Sequence, residues 1–382
     1  MNNKILAIFG LLSVGMMNAQ TGNEKVDNFL NNTDINFLLR SSLEVPQQGE
    51  GNPSVFKQNE ARMQITGKIN PDLAYNVRFR LNRNTSPLSD NAPSSLDYAS
   101  LEYTFGKDKK WAVTLGKQAI FVGSWEYEKN PTYEYTYSNY LIKQLNLFAV
   151  GGKLAYSPNK NNNFQLYVFN ANNNSFSALH ENAKYAKNQL KASEYPLGFN
   201  FVWRGNLWNN KLKTLYSLHT SQIAEGKQNY GISIGNKLVL PKFEAYLDIQ
   251  HNNSAVDYAN MISPVINKYN ATQVAGYQNI FAEKVQYQSA VFRADYSITP
   301  KWIVTGKTGI ENINSNTLGN NMSHHYMNLI GLEFKPFEKQ NFRFFAYFHN
   351  DSYKYNDKFK NIQQNTSKNT IAVGVLYLMN IL

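Results

Sequence analysis

Three arginines beside one short turn are the first residues in this sequence with a spacing that suggests chemistry. Arg62 precedes Asn70-Pro71-Asp72, and Arg78 and Arg80 follow it. If the flanking segments pair as a hairpin, Arg62 faces Arg80 across the pair, where like charges repel. Such a cluster predicts attraction of anions. The alternative is that an acid such as Glu60, or a loop folded against them, offsets the three charges.

Patterns typical of catalysis or metal binding are scarce. The chain has no cysteine, which excludes disulfides, thiolate zinc sites, iron–sulfur clusters and cysteine nucleophiles. His324 and His325 are adjacent, so in a strand they project to opposite faces and make a poor chelating pair. His219 and Ser221 share one face, but this spacing alone does not establish a hydrolase. We therefore predict no catalytic residues, no metal site and no cofactor.

The segments that carry the arginines have the two-residue period of β-strands. In 34–45, Ile35, Phe37 and Leu39 alternate with polar neighbours. Sixteen such segments can be drawn, the last at 368–380, although counts of 14 or 18 remain open.

Tight turns and longer connections alternate along the chain. Connections such as 70–72 are short, those at 172–194 and 255–283 are long, and only 223–227 is short where a long one is due. This order predicts an all-β fold: a closed antiparallel 16-stranded transmembrane β-barrel with short periplasmic turns and long extracellular loops. The alternative is a large soluble β-sandwich or β-solenoid.

Large aromatic residues lie on the outward face beside the tight turns, as expected at a bilayer surface. A soluble β-sheet protein does not predict this clustering. Nucleic-acid binding is not predicted either, because the aromatic set faces lipid instead of joining a basic face. The aromatic set consists of Tyr75, Tyr103, Phe105, Trp111, Tyr156, Phe164, Trp203, Phe243, Tyr296, Trp302, Phe334 and Phe342.

The first residues of the chain indicate export. Lys4 precedes an apolar run from Ile5 to Met17, and Ala19 is a small residue suited to signal peptidase. The run is shorter than the roughly 20 residues that span a bilayer, so a retained anchor is the weaker alternative. We predict a cleaved signal peptide at 1–19, a short periplasmic segment at 20–33 and a barrel domain at 34–382.

The composition agrees with an exported barrel. The 382 residues are 14% aromatic and 17% charged, which excludes a disordered chain or a coiled coil. The formal net charge is +11, which indicates anionic partners without identifying them.

A barrel of sixteen strands is too wide for side chains to fill and holds water. The chemistry then lies with the inward-facing residues, where basic side chains outnumber acids. The predicted pore-lining basic residues are Arg40, Arg62, Arg78, Arg80, Lys153, Lys213, Lys237, Arg293, Lys307 and Arg343.

The third long loop, at 123–144, is the candidate constriction. We expect it to fold inward and to present carboxylates and rings to the arginines, so that a transverse field orients dipolar solutes. The alternative is an exposed aromatic loop at the lipopolysaccharide boundary. The candidate constriction residues are Trp125, Glu126, Tyr127, Glu128, Lys129, Tyr133, Glu134 and Tyr135.

Besides the sixteen-strand layout, three short motifs can be compared with known families: the signal ending Asn18-Ala19-Gln20, Leu115-Gly116-Lys117-Gln118 leading into Phe121-Val122-Gly123-Ser124-Trp125-Glu126, and Gly151-Gly152-Lys153-Leu154-Ala155-Tyr156. In these features the sequence resembles the bacteroidete branch of the phosphate-selective porin O and P family, along essentially all of the mature chain. The resemblance implies a homotrimer that passes ions and small solutes. The glutamates of 123–144 depart from the anion-selective members, so phosphate selectivity is not carried over.

We therefore predict a passive porin, leaning toward anions and including phosphate among its candidate solutes, in the outer membrane of a Gram-negative bacterium. Its expected partners are the lipid bilayer, lipopolysaccharide, small anionic or polar solutes, and the barrel-assembly machinery, for which Tyr377 replaces a terminal aromatic residue. The alternative is a plugged barrel in which the loops at 172–194 and 255–283 serve an enzyme or an adhesin.

Overall fold

The structure is a computed structural model that describes residues 29–47, 53–120, 123–129, 131, 133–144, 146–315, 319–359 and 361–381. Sixteen antiparallel strands form one closed barrel, in which each strand pairs with its neighbours in sequence and the first pairs with the last. The predicted fold class is therefore confirmed. The predicted signal peptide, and the predicted N-terminal segment up to residue 28, lie outside the described residues.

The strands follow the predicted segments within a few residues at most ends. Their bounds are β1 Thr33–Pro46, β2 Val55–Asn70, β3 Leu73–Arg80, β4 Leu96–Phe105, β5 Trp111–Ala119, β6 Phe148–Asn159, β7 Asn162–Asn170, β8 Leu197–Leu207, β9 Leu212–Ala224, β10 Lys227–Leu240, β11 Phe243–Val256, β12 Glu283–Ser297, β13 Trp302–Ser315, β14 Gly319–Phe334, β15 Asn341–Tyr355 and β16 Thr366–Asn380.

The described helices are short and all lie in connections between strands. None of those in the described ranges is long and apolar enough to cross a membrane. They are α1 Trp125–Glu128, α2 Phe176–Ala183 and α3 Ser263–Gln273, with short 3-10 turns at Lys107–Lys109 and Asp357–Phe359 and a π-helical turn at Tyr140–Gln144.

The outward faces of the strands are apolar and exposed, because alternate residues of each strand point away from the lumen. Leu115, Leu218 and Ile330 are examples, each more than half exposed. In a soluble protein this continuous apolar surface would favour aggregation. It fits the hydrocarbon core of a bilayer instead.

An aromatic row crosses the outside of the barrel beside the tight turns. In register, Phe105 pairs with Trp111, Trp111 with Tyr156, and the row continues through Phe164 to Trp203. The Trp111 and Tyr156 rings stack with centroids 4.4 Å apart. The row is consistent with the predicted girdle at one bilayer surface.

The first tight turn sets the register of the arginine-bearing hairpin. The Asn70 side-chain oxygen accepts hydrogen bonds from the backbone N–H groups of Asp72 and Leu73, both at 2.9 Å, which is an Asx turn. Asn70, and not Ile69, pairs with Leu73, and a bulge follows. Beyond the bulge Arg62 lies opposite Arg80, as the sequence predicts.

At the other end of the barrel the long connections pack on each other. The connection at 171–196, which carries α2, meets the connection at 257–282, which carries α3, through a hydrogen bond from Ala186 N to Asn279 O at 2.7 Å. Asp257 caps α3, accepting from the backbone N–H groups of Ile262 and Ser263 at 3.0 and 2.8 Å.

Two connections at this end are short. Only Glu225 and Gly226 link β9 to β10, as expected for the short exception at 223–227. The prediction of a longer connection at 315–322 is wrong, because β13 runs to Ser315 and β14 begins at Gly319.

Candidate functional site

The connection between β5 and β6, residues 120–147, folds into the barrel, and we call it the inward loop. Its first anchor is Asp248 of β11, which lies on the lumen side of the wall. The Asp248 carboxylate accepts hydrogen bonds from the backbone N–H groups of Trp125 and Glu126 at 2.9 and 2.8 Å, and from Ser124 Oγ at 3.1 Å. The alternative of an exposed loop at the lipopolysaccharide boundary is therefore wrong.

The contact between the loop and Asp248 requires a residue without a side chain at Gly235 of β10. A Cβ atom at position 235 would lie 2.5 Å from the backbone oxygen of Gly123 and 2.6 Å from Asp248 Oδ1. Gly123 itself has a φ of +68°, a conformation that glycine adopts without strain. The loop backbone can therefore lie directly on the strand.

Two glutamates of the inward loop share a buried lysine. Lys307 Nζ of β13 lies 2.6 Å from Glu126 Oε1 and 2.8 Å from Glu134 Oε1. Arg293 of β12 lies 3.0 Å from the same Glu134 oxygen. All four side chains are almost completely buried, so each charge depends on its partners.

The two glutamates differ in acidity because their surroundings differ. Burial raises the pKa of the Glu126 carboxyl, and the nearby Lys307 cation only partly offsets this effect. Burial also acts on Glu134, but the cations of Arg293 and Lys307 outweigh it and lower its pKa. Glu134 is thus the more firmly ionised anchor of the loop.

Further contacts carry the inward loop across to the opposite strands. Arg40 of β1 donates to the backbone oxygen of Glu134 at 2.7 Å, and Tyr135 Oη donates to Glu333 of β14 at 2.7 Å. Near the end of the loop, Tyr140 N donates to Glu311 of β13 at 2.5 Å. The loop therefore attaches to β10 through β14 and to β1.

The expectation that the loop carboxylates face the arginine cluster is wrong for Glu126 and Glu134, whereas Glu128 borders the same cavity as the cluster. Glu126 and Glu134 are fully buried against Lys307, and Glu128 pairs with Arg204 of β8 at 2.5 Å. Each carboxylate binds the nearest inward cation of the wall, since a buried charge without a partner is costly. Glu126 and Glu134 therefore contribute no open carboxylate field.

The arginine cluster is instead organised by Asp97, which the sequence reasoning missed. Its carboxylate accepts from Arg62 Nη1 and Arg78 Nε at 3.0 Å each and from Arg80 Nε at 2.7 Å. Glu60 adds a second acid, with Arg62 Nε 2.7 Å away. The alternative of offsetting acids therefore applies, and three guanidiniums meet two carboxylates.

Because of a β-bulge, the alternation of inward and outward residues along β4 does not predict the position of Asp97. Arg78 pairs with Tyr98, but the next residue, Phe79, pairs with Leu96, so Asp97 is the extra residue. Strict alternation from Glu102 would place residue 97 on the outward face. The bulge turns it inward, where it is 1% exposed.

Between the inward loop and the wall of β2–β5 lies a cavity of about 770 Å³, which we call the open passage. The arginine cluster and the exposed Arg83 lie along the wall side, and Tyr127, Tyr137 and Ile142 lie along the loop side. The buried ion pairs of the loop are with β12 and β13, so the loop leaves this passage beside β2–β5.

The other predicted pore-lining residues divide into two groups. Arg40, Arg293 and Lys307 are at most 5% exposed, and all three anchor the inward loop through buried contacts. The second group is partly buried and consists of Lys153, Lys213, Lys237 and Arg343. Three of these form ion pairs: Lys153 with Glu102 at 3.1 Å, Lys237 with Glu244 at 2.9 Å, and Arg343 with Glu333.

The remaining constriction candidates also bind the wall. Lys129 pairs with Asp295 of β12, the ring of Tyr133 lies 4.3 Å from the Arg343 guanidinium, and Lys237 lies over the ring of Trp125. His219 hydrogen-bonds Asn252 at 2.9 Å. His219 is thus bonded to an amide and not to Ser221.

Solved structures of an outer-membrane channel, a porin and an outer-membrane protein share this fold. The outer membrane channel DcaP of Acinetobacter baumannii superposes with a TM-score of 0.62 at 11% identity, over 91% of this chain and 97% of that chain. The anion-selective porin from Comamonas acidovorans gives 0.57 at 10% identity, over 91% and 99%. OmpT of Vibrio cholerae, which has also been solved as a trimer, gives 0.55 at 11%, over 91% and 97%.

A closed barrel with an apolar outer face and a lumen narrowed by an inward loop defines a porin. The model of the family described as phosphate-selective porin O and P matches residues 40–378. The chain belongs to this family. It is therefore an integral β-barrel of the outer membrane, and its protein class is that of a channel. No curated protein sequence matches the chain.

Proposed function

We propose that this porin passes small hydrophilic solutes by passive diffusion, that the inward loop sets its bore, and that the open passage favours anions. The observation that carries the proposal is the placement of Arg62, Arg78 and Arg80 along that passage. Three guanidiniums against Glu60 and Asp97 leave one net positive charge. A lining with excess positive charge attracts anions electrostatically.

The preference for anions is modest in this proposal, because most other charges near the passage are paired. Lys117 lies 3.8 Å from Asp90, and Glu128 pairs with Arg204. Arg83, which is exposed on the wall, adds to the excess. Inorganic phosphate is one of the anions that such a lining admits.

We further propose a homotrimer in a bilayer with lipopolysaccharide, delivered by the barrel-assembly machinery after removal of residues 1–19. The trimer form of the structurally similar OmpT supports this assembly. A plugged barrel acting as an enzyme or adhesin is not favoured, since the family and the fold are those of a channel.

Planar-bilayer recording of the purified protein tests the function. We expect large ohmic conductance steps in groups of three and a reversal potential in asymmetric KCl that indicates anion preference. A bilayer that stays silent under conditions in which the barrel is folded contradicts the porin function.

A triple variant tests the role of the arginines. Changing Arg62, Arg78 and Arg80 to Ala leaves Glu60 and Asp97, so the local charge goes from one positive to two negative. The reversal potential should move to the cation side. The control is the triple change of Lys107, Lys109 and Lys110 to Ala at the tight-turn end, which removes the same charge far from the passage. A reversal potential that is the same in both triple variants excludes the arginine cluster from selectivity.

A further inference from the structure

The open passage has the size of a binding site for a small organic molecule. Its volume of about 770 Å³ lies within the range of roughly 300–1,000 Å³ that is typical of such sites. A hydrated inorganic anion needs only charge and water in a channel. The chemical nature of the walls therefore indicates which anions the passage holds best.

Aromatic rings cover the guanidiniums on the wall side. The Arg78 guanidinium lies 4.4 Å from the centroid of the Tyr98 ring and 5.4 Å from that of Phe148, and Arg80 lies 5.4 Å from Phe148. Arg78 and Arg80 each donate to Asp97 through Nε. Among the described residues their terminal nitrogens have no hydrogen-bond partner, and they lie next to an apolar surface.

The loop side of the passage presents an isoleucine to water. Ile142 lies in the π-helical turn of the inward loop and is 53% exposed, while its neighbour Leu141 is completely buried. Tyr140 and Leu141 are the buried residues of this turn. Ile142 therefore offers apolar surface to a molecule in the passage.

We propose that the open passage is a site for amphiphilic organic anions, in which a carboxylate meets Arg78 and Arg80 and a short apolar body lies against Ile142 and the rings of Tyr98 and Phe148. Guanidinium nitrogens recognise carboxylates by charge-assisted hydrogen bonds. The apolar body gains by leaving water, which inorganic phosphate cannot do. This inference deepens the proposed function and rests on it.

Block of the chloride current by added anions tests the site in planar bilayers. Hexanoate and acetate share the carboxylate and differ only in the apolar chain. The half-blocking concentration of hexanoate should be about tenfold below that of acetate, as expected when roughly half of the additional chain leaves water. Inorganic phosphate should block more weakly than hexanoate.

The variant Ile142→Ser should raise the half-blocking concentration of hexanoate about fivefold and leave that of acetate unchanged, because it removes only the apolar contact. Ile142→Val is the matched control and should keep most of the block. Both changes are at a half-exposed loop position, and a heat-modifiable band on a gel shows that each barrel has folded.

Three results overturn the inference: equal block by hexanoate and acetate, stronger block by phosphate than by hexanoate, or an equal effect of Ile142→Ser on both carboxylates. In each case anion-selective ohmic conductance still supports the proposed function. A folded but silent channel contradicts the proposed function and the inference together.

Discussion

Replacing Asp97 with asparagine should increase the anion preference of the channel. Asp97 accepts hydrogen bonds from all three arginines of the cluster, and its neutralisation raises the local excess from one positive charge to two. For an ion that passes at a distance of about 6 Å, one charge changes the energy by about 0.7 kcal/mol, even with the dielectric constant of water. The sign is opposite for anion and cation, so the energies of the two ions separate by about 1.4 kcal/mol.

The expected result is therefore a rise of about tenfold in the anion-to-cation permeability ratio, read from the reversal potential across a KCl gradient. Salt near 0.1 M keeps the screening length at about 10 Å, longer than this separation. Asp108→Asn is the matched control, because it removes the same charge from an exposed turn at the end of the barrel. If the anion-to-cation permeability ratio of the Asp97→Asn channel is unchanged or lower, Asp97 does not limit the anion preference.

Three further predictions concern the attachment of the inward loop. Lys307→Met leaves Glu126 and Glu134 buried without their shared cation, which should destabilise the loop by about 3–5 kcal/mol; the readout is a larger and noisier single-channel conductance, and an unchanged trace contradicts it. Because the folded pKa of Glu134 is lowered, its contribution is complete above the ordinary glutamate pKa of 4.5 and is lost as the pH falls through the lower folded value. The part of the current noise that depends on Glu134, measured as the difference between the native channel and Glu134→Gln, should therefore stay constant from pH 7 to about pH 4.5 and change only below, and a difference that changes near pH 6 refutes this order. Gly235→Ala should displace the loop and change the conductance, whereas Gly306→Ala, whose Cβ would meet nothing within 4 Å, should not; similar effects of both changes would show that space at position 235 is unimportant.

The barrel was predictable because its signals are local. Alternation along each strand and the order of short and long connections require no knowledge of distant residues. The same holds for the hairpin of β2 and β3, where pairing across one turn brings Arg62 opposite Arg80. The end of β3 was harder, since the pattern extends to residue 84 and the strand ends at Arg80.

The chemistry of the lumen depends on features without a local signal. A single bulge at Asp97 turns its side chain from the outer face of the wall to the lumen and places the carboxylate at the centre of the arginine cluster. The partners of Glu126 and Glu134 lie more than 150 residues further along the chain, at Arg293 and Lys307. Periodicity gives the side of the wall on which a residue lies, but not which charges meet across the lumen. Assignment to the bacteroidete branch stays a prediction.

The charge of the inward loop bears on its response to a membrane potential. Residues 120–147 contain three glutamates and two lysines, a net of one negative charge. Moving one charge through the whole potential gives at most about 2.3 kcal/mol at 100 mV. Separating a buried pair such as Lys307 and Glu134 costs about 3–5 kcal/mol. An electric field of ordinary strength is therefore too weak to pull the loop from its anchors, and the bore should stay constant when the polarity is reversed.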